Sequence, residues 1–277
     1  MKSFWIIGVP LLVVVIAVGY LVTQLQPELP QPKGPHKVGY ERFAITKANK
    51  WIDVQAFYPT SEVTDQQPQA IPADLAEEFG KAYNTPAIAM QDERPFPAYI
   101  DAKIIDGKHP VLIFNHGHGM HATQNSHQII ELASHGYVVL ALNHPGHSLL
   151  SKNGDLVAIR QSGIAEYTPE EVTTLLERQK RGNDDLRATT TLDEWKIAMS
   201  AIQNEAFADI VDQFPVWTGN NTVVLGALEN GELPSTIADN LDLTEIGYFG
   251  HSFGGAVATH MGLNDDRVKA AYNMDGP

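Results

Sequence analysis

Apolar and polar positions alternate through Ile52-Asp53-Val54-Gln55-Ala56-Phe57-Tyr58 until Pro59, the period-2 mark of a half-buried strand. The next stretch, residues 66–97, is polar and broken by prolines, with room for one short helix at 73–83. From Pro110 the rhythm becomes strand then helix. The pattern predicts strands over 111–114, 137–142, 246–249 and 268–274. It predicts helices over 122–134, ended by Gly136, over 169–181 and over 253–261. Strands alternating with helices imply a largely parallel central sheet with helices on its faces. Thr191 with Glu194 has the spacing of a capping box, and Trp195, Met199, Ile202, Ala206, Ile210 and Phe214 recur on one helical face as a core stripe. Gly219 to Asn221 reads as a loop.

The amino-terminal part has a different texture. Residues 4–22 form a run of nineteen residues without a charge, about 28 Å long as a helix and close to the roughly 30 Å of a bilayer core. Residues 1–23 are therefore expected to be a transmembrane anchor or a signal sequence. Lys2 on one flank and Glu28 on the other place the remainder outside the cytoplasm, periplasmic or extracellular, or secreted after signal cleavage. Residues 24–37 carry four prolines and read as a spacer. Residues 38–277 then make one domain.

Composition narrows the chemistry. With 43% hydrophobic residues a packed core is available, and a formal charge of −14 with scattered lysines and arginines excludes a nucleic-acid partner. Having no cysteine removes disulfides, thiolate metal sites and a cysteine nucleophile.

Gly250-His251-Ser252-Phe253-Gly254-Gly255 stands between a predicted strand and a predicted helix. That context turns G-x-S-x-G into a nucleophile elbow, in which small neighbours let the main chain pass a strained serine. Ser252 is the candidate nucleophile. Acyl transfer also needs N–H donors for the oxyanion. The backbone of Phe253 is one candidate. The backbone of His118, in the glycine-rich loop Asn115-His116-Gly117-His118-Gly119 after strand 111–114, is the other. A rival reading makes His116, His118 and His121 ligands of one divalent metal, but Met120 stands where an acidic ligand is wanted. No metal and no organic cofactor is expected.

The elbow, the Asn-His-Gly-His-Gly loop and the run Leu132-Ala133-Ser134-His135-Gly136-Tyr137-Val138-Val139 resemble the plasma-type platelet-activating factor acetylhydrolases and their bacterial relatives, from Ile52 to the last residue. The resemblance implies an α/β-hydrolase fold and cofactor-free hydrolysis of short-acyl phospholipid or other small lipid esters. It also implies that Asp275, after the last predicted strand, is the acid of the triad. A general carboxylesterase or cutinase-like polyester hydrolase keeps the same chemistry on another substrate, and a hydrolase-fold binding protein is the reading from a different class. In this fold the triad runs Ser, Asp or Glu, then His, yet only Gly276 and Pro277 follow Asp275. The expectation is a carboxy-terminally truncated domain. It lacks its last strands, helix and triad histidine and is impaired on its own, unless His118 or His144 substitutes as base.

Overall fold

The computed structural model describes residues 28–160, 168–205 and 208–276. The chain divides into two units, Met1–Pro30 and Gln31–Pro277, and the second carries all strands and helices of the described residues. The apolar run at 4–22 lies outside the described residues. Among them no helix is long and apolar enough to cross a membrane.

Seven strands form the main sheet: β1 (Lys37–Lys47), β2 (Lys50–Thr60), β5 (Tyr99–Ile100), β6 (His109–Asn115), β7 (Val138–Asn143), β10 (Leu241–His251) and β11 (Val268–Met274). Two small hairpins use β3 (Gln69–Ile71) with β4 (Asp92–Pro95), and β8 (Leu150–Asn153) with β9 (Leu156–Ile159). The order across the main sheet is β11-β10-β6-β7-β2-β1-β5. The pairs β11/β10, β10/β6 and β6/β7 are parallel, whereas β7/β2 and β2/β1 are antiparallel. Every residue of β7, Val-Val-Leu-Ala-Leu-Asn, is buried, as befits a central strand covered on both faces.

Among the described residues six helices of more than one turn accompany the strands: α1 (Ala73–Tyr83), α2 (Ser126–Ser134), α3 (Pro169–Ala188), α4 (Leu192–Glu205), α5 (Phe214–Glu229) and α6 (Phe253–Asn264). Trp217, Val224, Leu225 and Leu228 of α5 and Val257 and Met261 of α6 pack with Val111, Ile113, Leu140, Ile246 and Tyr248 into one core. Helix α2 packs against β2 and β7. Beside it, β11 forms an open edge where Tyr272 is 67% exposed, above an apolar groove of about 790 Å³ lined in part by Leu132, Tyr248, Phe249 and Met274.

Two expectations need correcting. The stripe from Trp195 to Phe214 is not one core helix: Asp212 and Gln213 form a turn before α5 begins at Phe214, and Trp195 stays 44% exposed while Ile202 is buried. Ala206 lies outside the described residues. Gly219 to Asn221 is not a loop but the interior of α5. Helical backbone is tolerated there because the asparagine side chains find partners. Asn221 Nδ2 donates to Asn115 Oδ1 (2.8 Å) and to Trp217 O (2.8 Å), removing the local competition that usually makes asparagine a turn residue. The capping box of Thr191 and Glu194 does form, with Glu194 N–H donating to Thr191 Oγ1 at 3.3 Å and Thr191 N–H to Glu194 Oε2 at 3.2 Å.

Candidate active site

The carboxyl ends of β7, β6, β10 and β11 lie side by side, which is where open α/β sheets place their ligands. From them issue the loop 144–149, the loop 116–121, the turn at Ser252 and the turn at Asp275. Register fixes their neighbourhood: Asn115 pairs with Gly250, and His251 with Met274.

Ser252 has φ 51° and ψ −122°, a left-handed conformation for a residue with a Cβ. It lies between the last residue of β10 and the first of α6. Glycine is required on both sides for lack of space. A Cβ on Gly250 would run into the backbone of Gly254, and one on Gly254 into the carbonyl of Asn115. The Ser252 carbonyl accepts from Gly255 N–H (2.8 Å) and Ala256 N–H (3.2 Å), which starts the helix. Phe253, in the first turn, has no intrahelical acceptor for its N–H.

Across from the elbow, Met120 N–H donates to Gly117 O (3.1 Å) and Gly119 takes φ 73°, the arrangement of a type II turn with glycine at its third position. His118 is the second residue of that turn, so the turn's own hydrogen bond leaves its N–H unused. The His118 ring packs edge-on to Phe253, centroids 6.0 Å apart. Burial, and then the nearby positive charge of Arg160, push it down to about 4. The ring is therefore neutral at pH 7. The Arg160 guanidinium lies against Gly119, where any Cβ would collide with it.

Beneath the loop sits a buried polar floor. Asn115 and Asn221 exchange side-chain hydrogen bonds (3.1 and 2.8 Å), tying the end of β6 to α5. His144 stacks on Trp217 at 3.8 Å, donates from Nε2 to Asn115 Oδ1 (3.1 Å) and accepts at Nδ1 from Asn220 (3.1 Å). His116 donates from Nδ1 to Gly117 O (2.7 Å) and accepts at Nε2 from the Ser148 hydroxyl (2.6 Å). Burial pushes His116 down to about 3 and holds His144 well below the ordinary imidazole value. His121 accepts at Nε2 from Asn143 Nδ2 (3.3 Å), and the Trp217 indole donates to His147 Nδ1 (3.1 Å). None of these bonds reaches the Ser252 hydroxyl.

His144 has no nitrogen left for a serine proton. His116, with both nitrogens engaged, has no lone pair for a metal, and among the described residues no group of three or more His, Cys, Asp or Glu side chains is placed to hold one.

Asp275 follows β11 in a left-handed turn, φ 59°, and is exposed. The Ser252 N–H donates to Met274 O at 2.8 Å, so the residue before Asp275 is bonded to the candidate nucleophile. The geometry thus brings Ser252, Phe253, the His118 loop and the Asp275 turn to one sheet end.

The model of the family described as "Platelet-activating factor acetylhydrolase, isoform II" matches residues 21–276. The chain belongs to this family. It is 26% identical over 264 residues to the platelet-activating factor acetylhydrolase of Bos taurus and 23% identical over 261 residues to that of Canis lupus familiaris, 90% of this chain in each case. The chain spans 55% of the length of each of these relatives. In fold it is similar to a ferulic acid esterase from Streptomyces cinnamoneus, with a TM-score of 0.54 and 18% identity over 90% of this chain and 62% of that one. The fold is that of the α/β hydrolases.

Some contributors to the site gave no signal in the sequence. Gln124 and Arg160 belong to no motif. Their roles come from contacts with residues distant in the chain, such as Gln124 with His251, 127 positions apart. The burial of Asn115 and Asn221 was equally hidden, since asparagine ordinarily marks surface and turns.

Proposed function

We propose that the protein is a serine carboxylic-ester hydrolase working through an acyl-enzyme, with Ser252 as nucleophile and Asp275 as the acid of its triad. The observation that carries this reading is the left-handed Ser252 on a strand-to-helix turn, φ 51°, flanked by two glycines that no larger residue can replace. A binding protein has no need of such strain.

In this reading the Ser252 Oγ attacks the ester carbonyl while its proton passes to an imidazole. The N–H groups of Phe253 and His118 hold the oxyanion, each worth about 3 to 4 kcal/mol at the transition state. The tetrahedral adduct collapses, the C–O bond to the alcohol breaks, and the imidazolium protonates the leaving alkoxide. Water, deprotonated by the same imidazole, then releases the acid from Ser252. Asp275 fixes the tautomer of that imidazole and stabilises its charged form. Of the two histidines that could substitute as base, His144 has both nitrogens engaged elsewhere, whereas His118 Nε2 has no hydrogen-bond partner among the described residues.

The proposed substrates are short-acyl phospholipids or other small lipid esters, in keeping with what the named relatives are called. The test compares kcat/KM for a two-carbon and a long-chain acyl ester of the same alcohol. The two-carbon ester is expected to be preferred, and a strong preference for the long chain would overturn this substrate class. The reading also makes residues 4–22 a membrane anchor holding the domain outside the cytoplasm. Removing residues 1–26 should then release active protein from membranes. Recovery of the untruncated product as a soluble exported protein shortened near Gly19 would replace the anchor with a cleaved signal.

A further inference from the structure

Gln124 touches both halves of the candidate site at once. It lies on a short 3-10 turn, Ala122–Asn125, held to the scaffold by Ala122 N–H donating to the buried Asn143 Oδ1 (2.7 Å) and by Gln124 N–H donating to His121 O (2.9 Å). Its side-chain oxygen accepts from Gly117 N–H at 2.7 Å, and its Nε2 lies 3.0 Å from His251 Nδ1. A backbone N–H can only donate, so Oε1 must face Gly117. The Nε2–H group then faces His251, whose Nδ1 is the acceptor. The three groups are in close contact: a Cβ on Gly117 would sit 3.0 Å from His251 Nδ1 and 3.4 Å from both terminal atoms of Gln124.

Gly117 precedes His118 by one residue, and His251 precedes Ser252 by one. We propose that Gln124 is a positioning residue that clips the oxyanion loop to the nucleophile turn and so sets the spacing of the His118 and Phe253 amides. By engaging the Gly117 N–H it fixes the plane of the peptide immediately before the His118 donor. Oxyanion donors act only within a few tenths of an ångström of their best position, so a clip between the two supporting loops governs the transition state more than substrate binding. This rests on the assignment of Ser252, His118 and Phe253 given above.

The experiment uses the intact protein, with active sites counted by a fluorophosphonate titrant, and the variants Gln124→Met, Gln124→Glu and Ser252→Ala. Methionine keeps the length and packing of glutamine and loses both hydrogen bonds, and glutamate keeps the acceptor for Gly117. Per titrated site, Gln124→Met should lose about tenfold in kcat with KM within about twofold. A boronic acid mimicking the tetrahedral adduct should weaken by the same factor as kcat/KM. Gln124→Glu should fall between the wild type and methionine, and it carries the test alone if the methionine variant does not fold. A role confined to stability would lower the number of titratable sites and leave kcat per site unchanged. That result, or a loss confined to KM, overturns the proposal. If Ser252→Ala still turns over ester, the hydrolase reading itself fails. If Ser252→Ala is inactive and the Gln124 variants match the wild type per site, only the positioning role fails.

Discussion

The backbone N–H of Ser252 donates to the carbonyl of Met274 at 2.8 Å, bonding the nucleophile turn to the strand end from which Asp275 projects. Serine and carboxylate are therefore held on adjacent strands by main chain, before any side-chain contact is made. The Ser252 backbone carries strain of about 1 to 3 kcal/mol, and a bond of this kind is what keeps such strain from relaxing.

From this follows the effect of Asp275→Asn. The amide preserves volume and removes the charge that stabilises an imidazolium, so kcat should fall by about four orders of magnitude with little change in KM. Steady-state kinetics on the intact protein checks this. A loss under tenfold would remove Asp275 from the triad.

The elbow glycines predict a contrast in stability. In Gly254→Ala the new methyl group is forced into the carbonyls of Asn115 and His116, and unfolding should become easier by about 3 kcal/mol or more. Gly219, inside α5, has open space around the same position, and Gly219→Ala should stabilise by about 0.4 to 1 kcal/mol. Urea midpoints of the two variants decide the matter, and equal effects would contradict the packing described.

The sequence exposed what is local. The strand β2, the strand-turn-helix around Ser252 and the glycine loop after β6 are each written within about ten residues, but β2 is buried on both faces rather than half-buried, because its polar positions find partners inside: Asp53 pairs with Arg42 and Gln55 accepts from the Tyr40 hydroxyl. The sequence concealed what depends on distant partners. Strand β1, read only as the start of the domain, owes its place to pairing with β2 along its full length, Lys37 to Lys47. The Gly219-Asn220-Asn221 segment looks like a turn until Asn115 is brought against it. The helical stripe after Trp195 does not run unbroken to Phe214, because periodicity does not register the turn at Asp212 and Gln213.

The buried imidazoles make stability fall in mild acid. An unfolded histidine takes up its proton near pH 6.5, whereas burial holds His116 neutral until about pH 3, with His121 and His144 also well below the ordinary value. Between those limits the unfolded state binds more protons, so lowering pH costs stability, by up to about 1.4 kcal/mol per pH unit for each ring. The loss should begin near pH 6.5, above the range in which carboxylates contribute. His116→Asn, which keeps a donor near Gly117 O, should flatten the slope by about one proton. Urea unfolding from pH 7 to 4.5 measures it, and a flat profile would mean that the rings are not buried neutral.

Covalent trapping tests whether Ser252 is a nucleophile. The intact protein would be treated with a fluorophosphonate and the modified residue located by peptide mass mapping. The account predicts one adduct per chain, on the peptide carrying Ser252, absent in Ser252→Ala together with ester turnover. An unlabelled Ser252 in protein that still hydrolyses ester, or undiminished turnover by Ser252→Ala, would contradict it.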